Sequence, residues 1–264
     1  MITSRLSCYR TGCGHTECRR ANTDYEKNRK RQIAYGRWDP YVDAEPVREH
    51  VKWLISQGVP VAKLRPIYEP VCVLVYGAPW RNLAPTQKMR RGSAEALLAV
   101  RPTLDMLGDR ARMDASGAHR RIEGLCALGW SRAEIARRMR TSAYRMQQVV
   151  VEPTVTVQTF RRVVAVYDEL SMTRPEGQYA DRTRRWAESQ GWLPPLCWDD
   201  DLIDLPGADL TAELGRRVEQ MDLSELARCY RAHHEMGDRS PLIVAGARAY
   251  PGRRREARRE KTAA

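Results

Sequence analysis

The longest uninterrupted apolar run in this chain is Val71 to Tyr76. No stretch approaches the ~20 apolar residues that a membrane helix needs, so no membrane partner is expected. A single Phe stands beside 7 Trp and 11 Tyr, which leaves the cores to Val, Leu, Ile and Ala. Apolar positions recur at helical spacing over short windows. That pattern suits several small helical units better than one large sheet. A length of 264 residues allows one large domain or two small ones.

The sharpest helical pattern lies between His119 and Val150. Ile122, Leu125 and Cys126 fall at i, i+3, i+4, and Gly129-Trp130 breaks that helix. Ser131-Arg132-Ala133-Glu134 has the spacing of a capping box, in which Ser131 accepts from the amide at 134 and Glu134 reaches back. Ile135 and Met139 then lie one turn apart. Arg140-Thr141 reads as a tight turn, with Arg140 where such turns often carry Gly, and Ser142 caps a third helix. Ala143, Met146 and Val150 are expected inward, leaving Tyr144, Arg145, Gln147 and Gln148 outward. Arg can bond guanine and Gln adenine in a major groove, and a recognition helix reads with its N-terminal residues. Seven arginines (120, 121, 132, 137, 138, 140, 145) face Glu123 and Glu134 over this stretch. Ser131, Arg132, Arg120, Arg121 and Arg138 are therefore candidate backbone contacts, which position a protein without specifying sequence. A fourth helix, near 156–170, is expected to close the bundle through Phe160, Val163, Val164 and Tyr167.

An earlier stretch looks like a worn copy. At an offset of 71, Val51 to Leu54 aligns with Ile122 to Leu125, Gly58 with Gly129, Ala62 with Ala133 and Leu64 with Ile135. At an offset of 66, Leu97 to Val100 aligns with Val163 to Val166. Pro46 suits a first helical turn. Pro60 replaces the Ser131 cap, and Pro66 falls inside the second helix of the copy. For Val71 to Tyr76, strand and buried helix remain alternatives. The copy is expected to keep the bundle with a distorted reading helix, and both DNA contact and pure packing stay open for it.

Cys8, Cys13, His15 and Cys18 lie within a few residues of each other, spaced C-x4-C-x-H-x2-C, with Gly12 and Gly14 between. Three thiols and an imidazole are a tetrahedral zinc set, and one structural zinc ion is expected, with an iron–sulfur cluster the lesser alternative. Seven basic residues (Arg19, Arg20, Lys27, Arg29, Lys30, Arg31, Arg37) face Asp24 and Glu26 on the helix that follows. Of these, Arg19, Arg20, Lys27, Arg29, Lys30 and Arg31 are candidate phosphate contacts.

The expected fold is thus mainly α: tandem helix-turn-helix-type bundles after a small N-terminal zinc-knot segment. Residues 1–37 form the Cys/His knot and basic helix, 42–105 the degenerate first bundle, and 117–172 the second. Residues 173–205 form a helix and an extended Trp/Pro/Asp-rich linker. A C-terminal helical region spans 206–250, with helices near 210–219 and 223–236, and 251–264 is expected to be a disordered basic tail. Cys229 with His233 and His234, and the Asp199 to Asp201 triplet, are set aside as surface and linker residues.

Lys plus Arg total 45 against 33 Asp plus Glu, a formal net charge of +12. Such a chain attracts polyanions, and counterion release from phosphates favours binding. Met1 to Cys8 lacks an apolar signal core, so a cytoplasmic protein with reduced cysteines is expected. No phosphate-cradling glycine motif and no nucleophile–base spacing occurs, so neither an enzyme nor a small-molecule substrate is expected.

Gly12-Cys13-Gly14-His15-Thr16-Glu17-Cys18-Arg19-Arg20-Ala21 resembles the G-C-x-C-x-x-C-R-x-A opening of helix-turn-helix regulators of actinobacteria and their phages, with His15 at the middle Cys. Val42 to Val51, Arg121 to Met139, Val155 to Val157, Tyr167 to Leu170 and Gly191 to Asp200 resemble later segments of that family. The resemblance covers roughly 12–205. It implies a sequence-specific regulator of transcription bound to double-stranded DNA, a repressor of the phage-immunity type. A protein that docks on RNA polymerase is the alternative; a zinc-dependent nuclease is a further one, which lacks an identifiable general base.

Overall fold

A computed structural model describes residues 5–263. It is mainly α, with two short antiparallel strand pairs. The chain divides into two compact units, one up to Met106 and one from Leu107.

In the first unit, α1 (Arg5–Arg10) and α2 (Thr16–Ala34) flank the Cys/His segment. There follow β1 (Tyr41–Asp43), α3 (Glu45–Ser56), α4 (Val61–Leu64), α5 (Val71–Tyr76), β2 (Lys88–Arg90) and α6 (Arg91–Leu98). The second unit repeats this order with β3 (Arg112–Asp114), α7 (Ser116–Leu128), α8 (Arg132–Arg138), α9 (Ala143–Val149), β4 (Thr154–Thr156) and α10 (Val157–Leu170). It continues with α11 (Gln178–Ser189), α12 (Gly207–Gln220), α13 (Leu223–Met236) and α14 (Pro241–Ala263).

The repeat extends to detail. Tyr41 pairs with Arg90 and Asp43 with Lys88, while Arg112 pairs with Thr156 and Asp114 with Thr154. Offsets of 71 and 66 carry one register onto the other. Asp43 Oδ1 accepts from the Glu45 amide at 3.0 Å, and Asp114 Oδ1 accepts from the Ser116 amide at 2.8 Å. Ala44 and Ala115 are fully buried beside these turns. The first helix of each bundle then ends at a glycine with positive φ, Gly58 at 90° and Gly129 at 110°, the conformation in which glycine alone escapes a Cβ clash. The strands were not expected, and β3 lies ahead of residue 117, where the second bundle was expected to begin.

Val71 to Tyr76 is helix, and Val71, Leu74 and Val75 are buried. Pro46 sits in the first turn of α3. The buried stripe of α10 is Val157, Phe160, Val163, Val166 and Leu170; Val164 and Tyr167 are only half-buried.

Residues 190–205 are not a solvated linker. Leu202 and Ile203 are buried, and Asp204 pairs through its carboxylate with Arg121 of α7. Gly117 makes room for this: a Cβ there would meet Asp204 Cα at 3.1 Å and its carboxylate closer still. Residues 251–263 were expected to lie in a disordered tail but are helical, because α14 runs through Pro251 to Ala263. Arg, Glu and Ala are good helix formers, and cations near a helix C-terminus oppose the backbone dipole. Among the described residues, no helix is long and apolar enough to cross a membrane.

Arg140 has a φ of 53°; left-handed backbone costs a non-glycine residue about 1–2 kcal/mol. Glycine gives back about 0.4–1 kcal/mol of that through the unfolded chain. Arg140→Gly should therefore raise unfolding stability by about 0.5–1 kcal/mol in urea melts, and a lower midpoint would contradict the turn. Asp204→Ala leaves a buried guanidinium short of its anion and should cost about 1–3 kcal/mol. An unchanged midpoint would show that the pair is idle.

Candidate nucleic-acid interface and metal centre

The second bundle presents its third helix through local capping. Ser131 Oγ accepts from the Glu134 amide at 3.2 Å, and Ser142 Oγ accepts from the Arg145 amide at 3.2 Å. The reciprocal half of the expected box is absent, because the Glu134 carboxylate pairs with Arg137 and Arg138 instead. Between α8 and α9 the Arg140 amide donates to Arg137 O at 3.0 Å and the Thr141 amide to Ala136 O at 2.9 Å. This is a closed Schellman turn, no looser for lacking glycine.

Met146 and Val149 are the buried residues of α9, not Ala143 and Val150. His119 Nε2 on α7 lies 2.7 Å from Val149 O and ties down the helix end. Tyr144, Arg145 and Gln147 are exposed and Gln148 is half-buried. Three of them form a chain: Arg145 Nη1 donates to Gln148 Oε1 at 2.9 Å, and Gln148 Nε2 donates to Tyr144 Oη at 3.0 Å. Arg112 stands beside this face, held by Thr154 Oγ1 at 2.9 Å and Glu152 Oε2 at 2.9 Å. The sequence reading passed over Arg112, since its place depends on strand pairing.

Four of the arginines expected on the basic surface are engaged inside the unit. Arg121 is 8% exposed, with its guanidinium between the Phe160 and Tyr167 rings and against Asp204. Arg120 donates to the carbonyls of Leu202, Ile203 and Leu205 and lies over Trp198. Burial lowers its pKa. Arg132 sits over Trp186 at 4.8 Å and Trp192 at 5.3 Å. Arg138 pairs with Glu134 and Glu169 and covers Trp130. Ser131 is spent on its cap. Arg120, Arg121 and Arg132 are thus engaged in packing, while Arg138 stays exposed within its ion pairs. The exposed cations of this bundle include Arg145 of α9, together with Arg112, Arg137, Arg140 and Arg162.

In the first bundle the corresponding helix, α5, offers no such face. Its one exposed side chain is Tyr76. Arg48 is buried and braces it, donating from Nε to Leu74 O at 2.9 Å and from Nη2 to Thr86 O.

The N-terminal segment gathers the four expected metal ligands. Cys8 comes from α1, Cys13 and His15 from the loop, and Cys18 from the first turn of α2. Gly12, with φ 91°, turns the chain back, and His15 O receives the first amides of α2, from Cys18 and Arg19. The Sγ and imidazole N atoms all lie within 4.8 Å of one another. Tetrahedral zinc with bonds near 2.3 Å sets its ligands about 3.8 Å apart, so the cluster needs only a small contraction to hold a metal ion. Cys13 is drawn down to about 7 by hydrogen bonds from the Cys8 thiol and the His15 amide. Cys18 is pushed up to about 12 by its hydrogen bond to Cys13 and by burial. Arg19, Arg20, Lys27, Arg29, Lys30 and Arg31 are all exposed along α2. Of them, Arg29 pairs with Glu26 at 3.5 Å and lies 5.9 Å from the Trp38 ring centre.

Cys229, His233 and His234 do not form a metal cluster; His233 Nδ1 bonds to Asp238 O at 2.8 Å. Asp201 is taken by Arg217.

No known family matches this chain, and neither a curated protein nor a solved structure was found similar to it.

Removal of a bound metal should cost the protein α1 and the first turn of α2. Titration with a chelator is expected to release one ion per chain and to raise amide exchange over residues 5–20. Cys13→Ala should do the same without chelator. Full protection there in metal-free protein would exclude a structural role for the cluster.

Proposed function

We propose that this protein is a sequence-specific regulator of transcription that binds double-stranded DNA, with α9 as its recognition helix. The single observation behind this reading is the exposed polar face of α9. Tyr144, Arg145, Gln147 and Gln148 project from a helix that is capped, backed by Met146 and Val149, and anchored through His119. These side chains match the donor and acceptor patterns of base edges in a major groove. The resemblance to regulators of actinobacteria and their phages agrees with this, and the sign of regulation expected from it is repression.

The metal is zinc and its role is structural. Three sulfurs and one imidazole close the coordination sphere, leaving no open position for a catalytic water. Holding Cys8 against Cys18 fixes the start of α2, and so places its exposed row of Arg and Lys for phosphate contact. These contacts add affinity without sequence preference.

The test begins with selection of bound sequences from a random duplex pool. Arg145→Ala should weaken the selected site about 10–100-fold and relax one base position, since a bidentate Arg–guanine pair discriminates by about 1–3 kcal/mol. Lys30→Gln with Arg31→Gln should weaken all duplexes alike and lower the salt slope by about 0.9 for each phosphate that is no longer neutralised. A pool that yields no preferred sequence, or an Arg145→Ala protein with unaltered preference, would refute the assignment. Docking on RNA polymerase would then be the reading to pursue.

A further inference from the structure

The C-terminal helices carry a second aromatic and basic site that the reading helix does not use. α13 and α14 approach closely where Gly246 faces Cys229; a Cβ at 246 would lie 2.9 Å from Cys229 Sγ. Tyr230, the next residue of α13, and Tyr250, one turn further along α14, meet with ring centres 5.2 Å apart. The His234 ring lies 4.3 Å from that of Tyr230, tilted by 45°. Beyond Tyr250, α14 continues into Arg253, Arg254, Arg255, Arg258 and Arg259. Tyr250, Arg254 and Arg258 recur every four residues, so they share one helix face. The Arg254 guanidinium lies 5.9 Å from the centre of the Tyr250 ring. Tyr230, Tyr250, Pro251, Arg254, Arg255 and Arg258 line a cavity of about 330 Å³. Among the described residues, none of these three arginines is paired with a carboxylate.

Unpaired guanidiniums beside an aromatic floor form a site for a group that is planar at one end and anionic at the other. We propose that this cavity binds unpaired nucleotides of a single-stranded nucleic acid. One base stacks on the tyrosines while Arg254, Arg255 and Arg258 hold the adjoining phosphates. Every base has a π-face, so such stacking tolerates any sequence. A duplex keeps its bases inside and would use only the arginines. An acidic peptide would likewise leave the tyrosines without a role. The cavity is at the small end of the ~300–1,000 Å³ range of ligand sites, enough for a base and its sugar. From Tyr250 to Arg258 the helix rises about 12 Å, so the cationic row outruns one nucleotide and favours a strand over a free nucleotide.

The experiment uses the full chain and a labelled oligothymidine strand read by fluorescence anisotropy. A duplex of equal length and free thymidine monophosphate serve as competitors. Tyr250→Leu should weaken the strand about tenfold or more, while Tyr250→Phe should keep its affinity. Arg254→Gln with Arg258→Gln, both at exposed positions, should lower the slope of log K against log salt by about 0.7 for each phosphate left without its cation. Circular dichroism confirms helix content for each variant. Parental affinity in folded Tyr250→Leu would overturn the proposal, as would an equal loss for duplex and strand. Should that variant unfold, an unchanged salt slope in the double arginine variant would do so. Thymidine monophosphate that binds as tightly as the strand would also overturn it. None of these measurements requires a known duplex site, so this proposal and the reading by α9 fail separately.

Discussion

The second unit is organised around one buried cation. Arg121 lies in the middle of α7, between the rings of Phe160 and Tyr167, and its charge is met by Asp204. A guanidinium taken out of water is tolerated only where rings and an anion replace its hydration. Phe160 and Tyr167 fix α10 against α7, and Asp204 brings the acidic stretch back across the same helix. Gly117 and Gly124 are the points of close approach: a Cβ at Gly124 would lie 3.4 Å from Leu193 O. What composition presents as an acidic linker is therefore the counter-charge of the bundle. The same folding explains why formal charge overstates the surface available to a polyanion. Arg120, Arg132 and Arg138 are held over Trp198, over Trp186 and Trp192, and over Trp130.

With those arginines engaged over rings, the proposed reading rests on α9. Its Tyr144, Gln148 and Arg145 side chains are already hydrogen-bonded to one another. Such a chain limits the rotamers that binding would otherwise have to freeze. To bind a duplex as proposed it would also exchange those bonds for base edges, so that a mismatched base would leave polar groups unpaired. On the proposed reading, selectivity comes from that exchange and affinity from phosphate contacts elsewhere.

Much of this was legible in local pattern. The caps at Ser131 and Ser142, the glycine at 129 and the cysteine spacing each act over a few residues, and periodicity separates the faces of α9 well enough to find its exposed groups. The repeat was visible too, and its offsets transfer the strand register without error. The strands themselves were not, because three residues show no alternation. Which arginines face inward was also hidden: the partner of Arg121 lies 83 residues away, and no window contains both. The tail misled for a related reason. Its composition matches a solvated basic segment, but α14 begins upstream at Pro241, and the packed Ala247 and Tyr250 carry the helix past Pro251.

The two copies show how a repeat divides its labour. In the second, His119 anchors a third helix whose outer face is polar. In the first, the residue at the matching position is Arg48, and it reaches further, to two carbonyls. That reach holds α5 and the Thr86 segment together, yet α5 itself reads Val-Cys-Val-Leu-Val-Tyr. A helix of that composition has nothing to offer base edges except a methyl contact or a ring. Stronger internal bracing and loss of polar side chains go together, since a helix freed from a ligand can spend every position on packing. On the proposed reading, one chain then carries one reading helix, and a single short helix covers only a few base pairs. Affinity must then come from elsewhere, and the exposed cations of α2, of which Arg29 is engaged with Glu26 and Trp38, are the groups placed to supply it.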